Sequence, residues 1–253
     1  MVAGLWFRVM RTIIIVQARM GSTRLPGKIL KRVMGKPLLE YQIERLKKVR
    51  NVDDVVIATT TNQIDQPVKE LCEKLHCSYF RGSENNVLLR YYEAAVKFKA
   101  ECVVRVNADC PLIDPDIIGE IVEYYHLNYN EIDYVSNILE KSYPIGLHTE
   151  VFSMEALRRA NHNANSATEQ EHVTPYIYRN PDVFRIFSYS IQDDLSQYRW
   201  TVDYPEDFRL IRIILEKLYQ NNTDFNMLDI INLMNSDASL MQINSQFTKE
   251  QTL

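Results

Sequence analysis

Twelve residues near the start of the chain, Gln17-Ala18-Arg19-Met20-Gly21-Ser22-Thr23-Arg24-Leu25-Pro26-Gly27-Lys28, combine three cations, two glycines and two hydroxyls. The mixture suits a polyphosphate: glycines let backbone N–H groups approach the oxygens, while arginine and lysine neutralise the charge. It is not a Walker A loop, because five residues rather than four separate Gly21 from Gly27-Lys28, and Ile29 stands where a Ser or Thr would hold magnesium. Nor does it contain G-x-G-x-x-G. A solvated basic turn is the bland alternative. Against it, the loop leaves the apolar run 12–16, and open α/β sheets bind ligands at the carboxyl ends of their strands.

Two aspartates can join this loop. Asp109 follows the apolar run 102–106 by three residues and precedes Pro111, which puts a hard oxygen ligand, suited to magnesium, at the same sheet edge. An Asx-turn at the proline bend is its other reading. Asp203 in Asp203-Tyr204-Pro205-Glu206 reads either as a second metal ligand or as part of a capping box for the following helix. Arg81-Gly82-Ser83, between a strand and a helix start, can offer backbone groups to a base and its ribose, or serve only as a helix entry with Ser83 or Asn85 as cap. Thr60, ending another strand, is a similar candidate.

The elements that must position these residues are βα units. Strands at 12–16, 54–58, 78–80 and 102–106 alternate with helical periodicity at 37–46, 65–75, 88–98 and 115–127, which predicts an α/β fold with a mostly parallel sheet. Beyond residue 133 the pattern is less regular: strands are expected at 148–152, 183–189 and 200–202, helices at 154–160, 173–178, 205–219 and 225–234. No repeat or linker appears, so 10–253 reads as one domain, with 1–9 as an N-terminal extension ahead of Met10-Arg11.

Composition closes off other classes. The chain has 253 residues, 46% of them hydrophobic, and 29 basic against 33 acidic residues leave a net charge of −4. This is ordinary globular composition, neither disordered nor fibrous, and the acidic excess argues against general affinity for nucleic acid. Cys72, Cys77, Cys102 and Cys110 form no C-x-x-C pair, and no apolar run approaches the roughly 18 residues a membrane span needs, so a reduced, cytoplasmic protein is expected. His76, His126 and His162 show no metal spacing.

Residues 17–30 resemble the opening of the cytidylyltransferases that make CMP-linked sugar acids, particularly the SpsF-like spore coat polysaccharide branch. The similarity continues through Phe80-Arg81-Gly82-Ser83-Glu84, Asn107-Ala108-Asp109-Cys110-Pro111-Leu112, Glu171-His172-Val173-Thr174-Pro175-Tyr176 and Arg199-Trp200-Thr201-Val202-Asp203. The resemblance implies a three-layer α/β/α nucleotide-diphosphosugar-transferase fold, a CTP substrate, Mg²⁺ and release of pyrophosphate. It also implies a homodimer, for which the apolar, turn-rich segment 143–152 is the expected contact.

Residue by residue, the resemblance puts Arg19 and Lys28 on the phosphates and Asp109 and Asp203 on magnesium, with Arg24 a further candidate. Gln17, Ala18, Gly21, Ser22, Thr60, Arg81, Gly82 and Ser83 complete the nucleotide site. His148, Glu150 and His172 would meet the acceptor. The branch usually reads Gly-Leu-Asp-x-Glu where this chain has Gly146-Leu147-His148-Thr149-Glu150, so an imidazole replaces a carboxylate and could meet an anionic acceptor. Three rival readings remain: a nucleotidyltransferase acting on a sugar phosphate with another nucleotide, a GT-A glycosyltransferase, and a non-catalytic nucleotide-binding homologue. The glycosyltransferase has only Asp114-Pro115-Asp116, at a helix start, as its Asp-x-Asp.

Overall fold

A computed structural model describes residues 10–250; the expected extension at 1–9 lies outside them. In chain order the elements are β1 (Thr12–Gln17), the short hairpin β2 (Arg32–Val33) and β3 (Lys36–Pro37), α1 (Leu38–Leu46), β4 (Asp54–Thr60), α2 (Gln66–Lys74), β5 (Ser78–Gly82), α3 (Val87–Lys97), β6 (Cys102–Asn107) and α4 (Pro115–Asn128). The second half holds β7 (Tyr134–Ser136), β8 (Glu150–Ser153), α5 (Met154–Asn163), α6 (Ala167–His172), α7 (Pro175–Tyr178), β9 (Ile186–Ser188), α8 (Pro205–Leu218), α9 (Met227–Ser236) and α10 (Ser239–Gln242).

Seven strands form one sheet in the order β5-β4-β1-β6-β8-β7-β9. All pairings are parallel except those of β8, which runs antiparallel to both β6 and β7. Because successive strand residues face opposite sides, β1 divides its apolar residues between two cores. Ile14 and Val16 join α1, α2, α4 and α8 on one face; Ile13 and Ile15 join α3, α5 and α7 on the other. This is the expected three-layer α/β/α arrangement. Both faces of the central strands are buried, which is why they read as unbroken β-branched runs.

The later elements depart from the periodicity reading. Residues 200–202 form no strand: Arg199 makes a single bridge to Ile145, and the backbone then turns toward α8. Of the helix expected over 173–178 only the single turn α7 forms, and an unexpected short helix, α6, precedes it; Val173, a β-branched residue at φ +74°, separates the two. Gly146 sits at φ +107°, where a Cβ would lie 2.6 Å from the Trp200 carbonyl carbon, so only glycine lets these two segments cross. The segment expected to reach a neighbouring subunit is buried in its own chain, with Tyr143, Ile145, Leu147, Val151 and Phe152 all in the core. It therefore gives no ground for a dimer.

Candidate active site

The loop after β1 is held from beneath. The Met20 carbonyl accepts from Ser22 N (2.9 Å) and Gly27 N (3.2 Å), and Gly27 takes the left-handed conformation at φ +66° that lets the loop turn back. The buried Asp65 carboxylate accepts from Met20 N at 2.6 Å and from the Thr60 hydroxyl. Thr60 thus props up the loop from within the core. The open side of the loop borders a cavity of about 320 Å³, walled by Gln17, Ala18, Arg19, Gly21, Ser22 and Lys28 together with Asp109 and Asp203. A Cβ on Gly21 would meet nothing within 4 Å, so the backbone there is approachable.

Lys28 joins the two aspartates. Its Nζ donates to Asp109 Oδ2 at 2.7 Å and to Asp203 Oδ1 at 2.8 Å. Burial works against the ammonium charge, but the two carboxylates outweigh it and raise the lysine above its ordinary pKa. Asp203 is held below the usual carboxylate range: burial opposes its ionisation, but Lys28, Arg24 and Arg199 overcome that.

The capping alternative for Asp203 is overturned. The carboxylate over the start of α8 belongs to Asp207, whose Oδ2 accepts from the backbone of Asp203 (2.9 Å) and Tyr204 (3.0 Å). Arg199 donates to Asp203 Oδ2 (3.0 Å) and to both Asp207 oxygens, while Asn244 donates to the Arg199 carbonyl and to Asp207 Oδ1. This buried lattice fixes one oxygen of Asp203 and turns the other toward Lys28. Asp114 is likewise a cap, accepting from Asp116 N and from Met227 N, which removes the Asp-x-Asp of a glycosyltransferase.

A larger cavity of about 720 Å³ adjoins the first, and Asn107 and His172 stand in the walls of both. Because β8 is antiparallel, the residues at its start reach the sheet edge that the other strands reach at their ends, and His148 and Glu150 come to this second cavity. Glu150 is not free to meet an acceptor. It is paired with Arg105 directly across the β6–β8 register, and its other oxygen accepts from the hydroxyls of Tyr134 (2.7 Å) and Thr174. Burial pushes His148 down to about 4, although Glu150 and Asp109 pull the other way, so the imidazole is neutral at pH 7 and cannot serve as the expected cation.

The structure also moves Arg81, Gly82 and Ser83 away from the cavity wall. The Arg81 guanidinium is spent on the Thr60 and Asn62 carbonyls (2.8 and 2.9 Å) and on Gln66 Oε1. Gly82 packs under Phe80 and Arg90, and the Ser83 hydroxyl accepts from Asn86 N. Arg19 stands half exposed at the cavity mouth, 3.4 Å from Glu171. Sequence reasoning missed Arg90, which walls the first cavity; its signal was a charge at 90 on the apolar face of α3 set by Val87 and Ala94. Cys110, beside Asp109, is buried, with Sγ 3.5 Å from Asp109 Oδ1, and burial pushes its thiol well up, which excludes a thiolate nucleophile. Among the described residues no three His, Cys, Asp or Glu side chains group as a ready metal cage, and no helix is long and apolar enough to cross a membrane.

Comparison with known proteins agrees with this geometry. SpsF, the spore coat polysaccharide biosynthesis protein of Bacillus subtilis, is 30% identical over 87% of this chain and 92% of its own. The 3-deoxy-manno-octulosonate cytidylyltransferase of Geobacter sulfurreducens is 37% identical over 43% of this chain and 42% of its own. A cytidylyltransferase structure from Leptospira borgpetersenii superposes with a TM-score of 0.88 at 32% identity, covering 96% of this chain and 99% of that one. The family profile described as Cytidylyltransferase matches residues 13–230, and with cations, paired aspartates and an adjoining second cavity in place, the chain belongs to the cytidylyltransferase family.

Proposed function

We propose that the protein transfers CMP from CTP to a sugar acid or a related acceptor and releases pyrophosphate, in the cytoplasm, for the assembly of a surface polysaccharide. The observation that carries this is the placement of Lys28 between Asp109 and Asp203 in the wall of a cationic cavity that a larger and more apolar one adjoins. An acceptor oxygen held in the second cavity attacks the α-phosphorus, its bond to phosphorus forms as the α–β bridging bond breaks, and the electron pair leaves with pyrophosphate. Catalysis of this kind is positioning and charge neutralisation. Arg19 and Lys28 hold the phosphates, Gly21 and Ser22 offer backbone approach, and His148 and His172 face the acceptor side.

Magnesium fits the residues present. Asp109 and Asp203 are hard oxygen donors that already converge on one cation, the Lys28 ammonium, and the triphosphate would contribute the remaining oxygens. When bound there, Mg²⁺ would neutralise phosphate charge and polarise the reacting phosphoryl group.

The test is a pyrophosphate-release assay with four nucleoside triphosphates against nonulosonic acids, octulosonic acids and sugar phosphates. Turnover confined to CTP and a sugar acid is expected. Preference for another nucleotide with a sugar phosphate would replace this reading by its nearest rival, and failure to bind CTP would overturn it.

A further inference from the structure

Among the described residues four arginines are essentially buried, and the fold gives three of them a carboxylate or a full set of carbonyl and ring contacts. Arg105 is paired with Glu150, Arg199 with Asp203 and Asp207, and Arg45 donates to the carbonyls of Ile113 and Phe225 while lying on the Phe225 ring. Arg90 differs. It is 1% exposed, no described carboxylate lies within 4 Å of it, and its Nη1 reaches only the Ser83 carbonyl; its Nε has no partner, as is also true of Arg105, whose charge Glu150 nevertheless matches. It is also the one of the four that walls the cavity of Arg19 and Lys28 without a counter-charge of its own.

A buried charge without an opposite charge is costly, and a fold keeps one where a ligand supplies the missing charge. We propose that Arg90 is a nucleotide-binding residue whose guanidinium contacts the phosphate chain of the bound nucleoside triphosphate beside Arg19 and Lys28. The assignment rests on the reading of this cavity as a triphosphate site. Its position on α3 is rigid, so the donor is oriented before the ligand arrives, and the guanidinium fork suits two phosphate oxygens at once. Like-charge repulsion from Arg19 is relieved by the same anion.

The competing role is a tether: Arg90 would only hold the Ser83 loop. Calorimetry with CTP, CMP and cytidine, magnesium present, separates the two, together with thermal unfolding of the ligand-free protein. Arg90→Met is expected to weaken CTP binding about 10- to 100-fold, the range for hydrogen bonds to a charged group, and to leave cytidine within about twofold. Its ligand-free Tm is expected not to fall. Arg90→Lys keeps the charge and loses the fork, so a smaller loss for CTP is expected, again without loss for cytidine. Parallel losses for CTP and cytidine in either variant, or undiminished CTP binding by Arg90→Met, would overturn the assignment. Wild-type protein that binds none of the three ligands would overturn the triphosphate reading itself.

Discussion

The two adjoining cavities treat charge in opposite ways. Around the loop after β1 the protein gathers Arg19, Lys28 and Arg90 and partners them unequally: Lys28 lies between two carboxylates, Arg19 meets Glu171 only at the exposed rim, and Arg90 is unmatched. In the second cavity the deepest charges cancel inside the protein: Arg105 meets Glu150, two hydroxyls complete the carboxylate, and His148 is uncharged. The first region leaves one deep charge waiting. The second settles its deepest charges beforehand and keeps Lys141 and Arg179 elsewhere in its wall, where an acid group could be met.

The largest expected effect breaks the first region. Asp109→Asn and Asp203→Asn each remove a carboxylate from Lys28 and should cut kcat by about a thousandfold, with Tm nearly unchanged because both groups are partly solvated. Steady-state turnover beside a melting curve checks this. A silent Asp203→Asn would return that residue to a structural role.

The second region should break differently. Glu150→Gln leaves Arg105 buried without its partner and should cost about 3–5 kcal/mol of stability. For a domain of this size that is a fall in Tm of about 6–20 °C. Denaturant titration measures it, and an unchanged midpoint would mean that the pair contributes nothing.

A smaller effect sharpens the contrast. His148→Ala should raise the acceptor KM by about threefold to tenfold and spare the KM for CTP, since His148 walls only the second cavity. With the folded-state pKa near 4 and an unfolded value near 6.5, the unfolded chain binds the extra proton between those values. The wild type should therefore lose stability relative to His148→Ala as pH falls from about 6.5 to about 4, and the difference between them should not change with pH above 7. Activity profiles from pH 6 to 8 should carry no His148 titration; a step near 6.5 that disappears in His148→Ala would contradict the neutral imidazole.

The first half of the chain was legible because its function tracks the strands. Runs of Ile and Val mark parallel strands, and the residues just after each strand land at the ligand edge, so residues 17–28 and Asp109 could be placed from order alone. The second half hides this rule. His148 and Glu150 lie at the start of their strand and reach the edge only because β8 runs backwards, which periodicity does not encode. Thr60, Arg81 and Ser83 had the right types in the right places, but hydrogen-bonding groups serve loops as readily as ligands, and here they hold the loop after β1 and the entry to α3. The cap at α8 was misplaced by one residue: Asp203 with Glu206 fits the sequence signature, whereas the N-cap is Tyr204, a residue type outside that signature, and the carboxylate that closes on its N–H is Asp207.

Cys110 gives the resting enzyme a built-in clock. Its thiol is shut between Asp109 and Thr201 and held in the protonated form, so an alkylating reagent reaches it only when the turn carrying Asp109 opens to water. The rate of labelling, read at that one peptide by mass spectrometry, then equals the free-thiol rate multiplied by the fraction of time the turn is open. A nucleotide that bridges the loop after β1 to Asp109 should slow the clock, so ligand occupancy can be followed with no turnover and with no acceptor identified.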